Sequence, residues 1–212
     1  IIPPNLQKGD TIAIVATARK NITDNLKPSL NLAKSWGLNV VIGKTIGLDN
    51  HQLAGTDEQR AADFQAMMDN PNIKAIWCVR GGYGTARMLE LVDFTKFKKN
   101  PKWLIGFSDI TVLHNHLHTK LKIASLHAPM AAAFNKGENE FIRSLKNALV
   151  GKKGKYKVVA HSFNKKGNAS GQLVGGNLTL LVNCIGTPSD INTKGKILFI
   201  EDIGEQIYAV DR

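Results

Sequence analysis

The chain has 212 residues, of which 43% are hydrophobic and 21% charged, with a formal net charge of +11. This composition suits an ordinary globular chain of one large domain or two small ones, and no apolar run approaches the roughly 18 residues that a membrane-spanning helix requires. The positive balance invites a nucleic-acid reading. However, Lys96, Lys98, Lys99, Lys102, Lys152, Lys153, Lys155, Lys157, Lys165 and Lys166 fall mostly in segments with glycine or asparagine. Such segments read as loops, and no interleaved aromatics offer bases a stacking surface, so no nucleic-acid partner is expected.

The elements alternate. Thr11 to Ala16 reads as an apolar strand, Asp24 to Trp36 as a helix with apolar spacing at Leu26, Leu30 and Ala33, and Leu38 to Ile42 as the next strand. Thr56-Asp-Glu-Gln-Arg60 spells a helix start, with Thr56 as N-cap and Gln59 in the capping-box position; the helix runs to Met68 and breaks at Asn70-Pro71. Ala75 to Val79 lacks alternation and reads as a strand covered on both faces. Thr85 to Phe94 then has helical spacing, Trp103 to Ile105 reads as a strand, and Ile110 to Lys120 as a helix. This cadence predicts a parallel sheet of Rossmann or flavodoxin type with helices on both faces, over residues 1–150. A lysine-, glycine- and asparagine-rich stretch at 151–170 reads as a linker. A smaller β-rich unit follows from 171 to 212, with a helical run (Leu178 to Ile185) and a strand (Ile197 to Ile200), and it is expected to be incomplete. Cys78 and Cys184 lie in apolar runs and read as core residues rather than a bridge, which suits a reducing, cytoplasmic compartment. The chain opens at Ile1 rather than a methionine, so a leader would already have been trimmed.

Three segments carry chemistry. In Trp103-Leu-Ile-Gly-Phe-Ser-Asp-Ile-Thr111 an apolar strand meets Gly106, then Ser108, then a helix. That is how a chain lifts a serine hydroxyl onto a sharp turn, although Ile110 stands where the G-x-S-x-G elbow has its second glycine. The alternative is that Ser108 caps a helix, with Asp109 in its first turn. In Val79-Arg-Gly-Gly-Tyr-Gly84, three glycines join a strand end to a helix start, a ready anion site for a phosphate or for a developing oxyanion. The motif lacks the residues of a P-loop and the spacing of a dinucleotide fingerprint. Ile197-Leu-Phe-Ile-Glu-Asp202 ends a strand in two carboxylates, either a solvated turn or the orienting member of a nucleophile–base–orienter set.

Together these segments resemble the LD-carboxypeptidase family of serine peptidases, which includes the microcin-C immunity peptidases. Pro3-Pro4-Asn-Leu-Gln-Lys-Gly-Asp10, Leu126-His-Ala-Pro-Met130 and Gly171-Gln-Leu-Val-Gly-Gly-Asn-Leu-Thr-Leu180 extend the resemblance over nearly the whole chain. It implies a Ser-Glu-His triad with no metal and no cofactor, in which Ser108 is the nucleophile and Glu201 the orienting carboxylate. The N–H groups of Asp109 and Gly82 would form the oxyanion hole, and Arg80, Gly81 and Tyr83 would face the substrate. Arg80 is a candidate for holding a terminal carboxylate, because its fork is bidentate; its alternative is a buried salt bridge under the loop. The implied substrate is a murein tetrapeptide losing its terminal D-alanine in cell-wall recycling. A peptide–nucleotide antibiotic and a non-catalytic anion-binding module are the alternatives. The resemblance also implies a cytoplasmic homodimer. The family's histidine base lies well beyond the carboxylate, whereas His51, His114, His116, His118, His127 and His161 all precede Glu201. The base is therefore expected on a segment after Arg212, with His127 the upstream candidate for a surrogate, and the chain as given is expected to be nearly inactive by itself. His114 and His118 stand at i, i+4 as a possible metal pair, but nothing in their segment completes the set, and a surface or partly buried cluster is expected instead.

Overall fold

The computed structural model describes residues 1–21, 26–133 and 139–211. Five strands, β1 (Thr11–Val15), β2 (Asn39–Ile42), β3 (Ile73–Cys78), β4 (Trp103–Gly106) and β5 (Leu126–His127), form one sheet in the order β2-β1-β3-β4-β5. All neighbours are parallel, which gives the flavodoxin-like doubly wound arrangement. The connections hold helices α1 (Lys27–Ser35), α2 (Asp57–Asp69), α3 (Thr85–Leu89), α4 (Thr95–Lys99), α5 (Thr111–His116) and α6 (Glu140–Leu149). The start of the first helix at Asp24 lies outside the described residues.

The sheet is apolar on both sides because both sides are covered. Ile12, Ile14, Trp77 and Ile105 face one cluster with Ala33, Leu145 and Leu149. Their neighbours Ala13, Val15, Ile76 and Leu104 face the other, with Phe64, Met68 and Leu113. α2 begins as its spelling dictates: Thr56 accepts from the Gln59 N–H, and the Gln59 side chain accepts from Thr56 N–H.

Three expectations need correction. Thr85 to Phe94 is not one helix. The Asp93 carboxylate accepts from the N–H and hydroxyl of Thr95 (2.8 and 2.6 Å), starting a new turn, and Gln65 of α2 bonds both the N–H and the carbonyl of Asp93. Likewise α5 gives way to a π turn at Leu117–Leu121, closed by Lys122 in the left-handed region at φ 58°. The lysines around 96–102 are also not in loops. Lys96, Lys98 and Lys99 lie on α4, and Lys102 is buried, donating to the Asn70 carbonyl at 2.9 Å. Burial pushes its amine down to about 8.

Residues 151–172 carry neither helix nor strand. Beyond them β6 (Leu173–Asn177) pairs in parallel with β7 (Ile197–Glu201) in a separate two-stranded sheet, with α7 (Leu178–Asn183) between them and α8 (Ile207–Asp211) after. Among the described residues no helix is long and apolar enough to cross a membrane.

Candidate active site

β4 ends at Gly106, and two residues later Ser108 has φ +59°, a left-handed conformation that strains a residue carrying a Cβ. A single 3-10 turn, Ser108–Ile110, then leads into α5. Ser108 is partly exposed, at the top of the sheet rather than within it. The departure from the G-x-S-x-G spelling has a packing reason. A Cβ on Gly106 would lie 2.7 Å from Ile110 Cγ1, so Gly106 provides the space that the wholly buried Ile110 occupies.

The glycine turn meets this serine turn. A Cβ on Gly81 would lie 3.3 Å from the Asp109 backbone nitrogen, and the Asp109 carboxylate accepts from Thr85 N–H at 2.9 Å. The first turn of a helix leaves its N–H groups without intrahelical acceptors, and Asp109 lies in such a turn, against Gly81. Gly82 takes φ +111°, in the region that favours glycine. The buried arginine beneath this loop is Arg60 of α2, not Arg80. Arg60 donates to the carbonyls of Thr17 (3.1 Å), Gly55 (2.7 Å) and Gly84 (3.2 Å) and pairs with Asp57. Arg80 is exposed and donates to the Lys20 carbonyl at 3.1 Å, and Tyr83 is exposed beside it.

Glu201 arrives from the other sheet. It lies opposite Asn177 in the β6–β7 register, and the Asn177 N–H donates to Thr111 Oγ1 at 3.0 Å, docking β6 onto the start of α5. Gly176 makes this approach possible: its φ is +147°, and a Cβ there would lie 2.6 Å from Thr111 Oγ1. Burial raises the Glu201 carboxyl above its usual range and Asp202 adds to this, against hydrogen bonds from the Asn177 side chain and the Ser108 N–H. Glu201 Oε1 is buried with no hydrogen-bond partner among the described residues. His127 Nε2 lies 3.9 Å from that oxygen, too far for a hydrogen bond. Asp202 plays a different part. Burial opposes its ionisation, but hydrogen bonds from Ile203, Thr179 and Asn177 hold it below the usual range, as the N-terminal tie of α7.

The histidines of Leu113-His-Asn-His-Leu-His118 go three ways. His114 Nε2 is 3.0 Å from the Gly106 carbonyl and Nδ1 is 2.8 Å from Ser125 Oγ. A carbonyl only accepts, so Nε2 carries the proton and Nδ1 receives the serine hydroxyl. Burial drives this imidazole down to about 4, keeping it neutral, and it braces the strand end before Ser108. His116 meets Ser189 Oγ at 3.1 Å and stacks on Phe94, while His118 lies 3.2 Å from Lys196 Nζ. Among the described residues no group of three His, Cys, Asp or Glu side chains is poised for a metal. Thr111 and His114 were not singled out by sequence reasoning for these roles. Their partners lie 66 and 8 residues away, and no local pattern announces either contact.

Residues 12–128 match the family model for the LD-carboxypeptidase N-terminal domain, and residues 170–212 that for its C-terminal domain. The probable murein peptide carboxypeptidase of Bacillus subtilis is 36% identical over 99% of this chain and 67% of its own length. The muramoyltetrapeptide carboxypeptidase of Oxalobacter formigenes superposes with a TM-score of 0.85 at 30% identity, covering 95% of this chain and 68% of that one. A microcin C7 self-immunity protein, solved with adenosine monophosphate, gives 0.87 at 23% identity, covering 100% of this chain and 73% of that one; this last likeness speaks for the fold alone.

Proposed function

This chain belongs to the LD-carboxypeptidase family, and from that premise we propose that it is a serine carboxypeptidase that removes the terminal D-alanine of murein tetrapeptides, with Ser108 as nucleophile and Glu201 as orienting carboxylate. Ser108 Oγ attacks the carbonyl of the penultimate residue while an imidazole takes its proton. The tetrahedral oxyanion accepts from the N–H groups of Asp109 and Gly82, each such donor typically contributing about 3 kcal/mol to the transition state. Collapse expels D-alanine, which receives the proton from the imidazolium, and water then releases the acyl group by the same route. Arg80, Gly81 and Tyr83 border the bound peptide. The murein assignment is supported by the names of the B. subtilis and O. formigenes relatives and by the basic balance of the chain, which attracts a peptide bearing several carboxylates.

One observation carries the reading. A strained serine on a strand-to-helix turn is joined, through the docking of β6 on α5, by a partly buried carboxylate whose Oε1 is buried and unpaired among the described residues. Glu201 Oε1 is the acceptor that a catalytic imidazole N–H would use. Its raised affinity for protons fits a group awaiting a hydrogen-bond donor rather than one already in an ion pair. His127 is drawn down by burial and is neutral near pH 7, so at 3.9 Å it forms no salt bridge with Glu201. We place the domain boundary as residues 1–150 for the nucleophile domain, 151–170 for a linker and 171–212 for the carboxylate-bearing domain. The two unpaired cysteines support a cytoplasmic location, and the family supports a homodimer. The test is release of D-alanine from a murein tetrapeptide. With the imidazole base present, the account expects turnover that Ser108→Ala reduces by at least about 10⁴-fold, and wild-type turnover retained in that variant contradicts it.

A further inference from the structure

The sheet order β2-β1-β3-β4-β5 reverses direction at β1, so the loops leaving β1 and β3 part and open a crevice above their carboxyl ends. Both walls are braced: Arg60 bonds the Thr17 and Gly84 carbonyls, the Thr17 and Thr85 hydroxyls meet at 3.1 Å, and Arg80 Nη1 holds the Lys20 carbonyl. From the braced β1 loop Arg19 reaches across the crevice. A Cβ on Gly82 would lie 2.6 Å from Arg19 Cδ and 2.8 Å from its Nε, so this side chain rests directly on the turn proposed to hold the oxyanion.

Of the neighbouring cations, Arg80 donates to the Lys20 carbonyl and three others are paired with carboxylates. Lys20 Nζ is 2.5 Å from Asp49, Arg87 is 2.7 Å from Asp57, and Arg60 shares Asp57. Arg19 is exposed and has no carboxylate partner among the described residues. A carboxypeptidase must recognise a carboxylate one residue beyond the bond it cuts, and one residue of chain spans about 3.8 Å. Arg19 lies over Gly82, and the adjoining Gly81 lies against the Asp109 backbone, so the guanidinium borders the same turn.

Resting on the carboxypeptidase reading above, we propose that Arg19 is the specificity-determining residue that binds the free terminal carboxylate of the substrate, while Arg80 fixes the β1 loop that carries it. Arginine suits this task because its planar fork takes both carboxylate oxygens, which lysine does not.

The experiment compares a murein tetrapeptide with its C-terminal carboxamide on the full chain. Arg19→Met is expected to lower kcat/KM for the free acid by about 10- to 100-fold and for the amide by less than about twofold, with Arg19→Lys between. Labelling of Ser108 by a fluorophosphonate should proceed at the wild-type rate in Arg19→Met, which separates a lost carboxylate contact from a damaged turn. Equal losses on acid and amide, or no loss on either, overturn the proposal. Calorimetric binding of both peptides to Ser108→Ala, with and without Arg19→Met, gives an independent reading. If the protein with its imidazole base present cleaves neither peptide the reaction assignment fails, but an acid preference in binding that vanishes with Arg19→Met still upholds Arg19. A preference that survives the substitution sinks it.

Discussion

The two sheets contribute to the site under different physical conditions. In the five-stranded sheet every residue of β4 is buried and β1 is buried from Ile12 onward, so the Ser108 turn stands on a packed framework with apolar layers on both faces. In the two-stranded sheet Leu198, Phe199 and Ile200 of β7 remain 44%, 41% and 48% exposed. Glu201 is held instead by a polar seam: Thr111 to Asn177, Asn177 to Asp202, and the Gly176 approach. Strain in a backbone persists only where surrounding packing over-determines it, which explains why the left-handed serine belongs to the first region. The carboxylate needs only the right distance and a donor-rich neighbourhood, which a few hydrogen bonds supply. Damage to the framework should therefore show as lost stability, and damage to the seam as lost activity.

The largest expected effect divides these cleanly. Glu201→Gln keeps the shape but removes the orienting charge, and should lower kcat by about 10⁴-fold while leaving the urea unfolding midpoint nearly unchanged. A large stability loss would show that Glu201 belongs to the framework after all. Trp77, buried in β3 with its Nε1 donating to the Pro129 carbonyl at 2.9 Å, tests the other region. Trp77→Ala should cost about 3–5 kcal/mol of stability, with the remaining folded fraction labelling normally at Ser108. Gly176→Ala forces a Cβ against Thr111 and should separate the two sheets slightly. About 10² in kcat/KM is expected with a smaller change in Tm, and matched losses would erase the distinction between the regions.

Acidification sharpens the comparison further, because the two regions respond with opposite signs. His114 stays neutral in the fold until about pH 4 against an ordinary 6.5. The unfolded chain therefore takes up the proton first, and stability through this group is lost as pH falls from 6.5 toward 4, by at most about 1.4 kcal/mol per pH unit. Glu201 is raised, so the fold binds its proton more readily than the unfolded chain does. Its stabilising contribution is greatest in acid and fades as pH rises through the folded value. Activity runs the other way, since only the ionised carboxylate orients a base. Urea midpoints at pH 7, 6 and 5 should fall less steeply in His114→Gln than in wild type, and identical slopes would contradict the assignment of His114 as a neutral brace.

Much of the framework was legible because its signals are local. The change from apolar strand to helix around Ser108, the capping box at Thr56 and Gln59, and the glycines between β3 and α3 each lie within a few residues. What escaped was set by contacts between distant segments. The helix expected over Thr85 to Phe94 is cut by Gln65, which lies 28 residues before Asp93. The seam that delivers Glu201 depends on Thr111 and Asn177, 66 residues apart. The histidines expected as a surface or partly buried cluster include His114, which is buried against a strand carbonyl, while His118 meets a lysine. Arg80 drew attention through its place in a motif, whereas the buttress is Arg60, whose burial no helical periodicity revealed.

The account rests on the reactivity of one hydroxyl, and intact-mass and peptide mapping after fluorophosphonate treatment of the full chain measure it directly. A single adduct on Ser108, absent in Ser108→Ala and slowed in Glu201→Gln, is the predicted result. An adduct on another residue, or labelling of Ser108 that ignores Glu201, would contradict it.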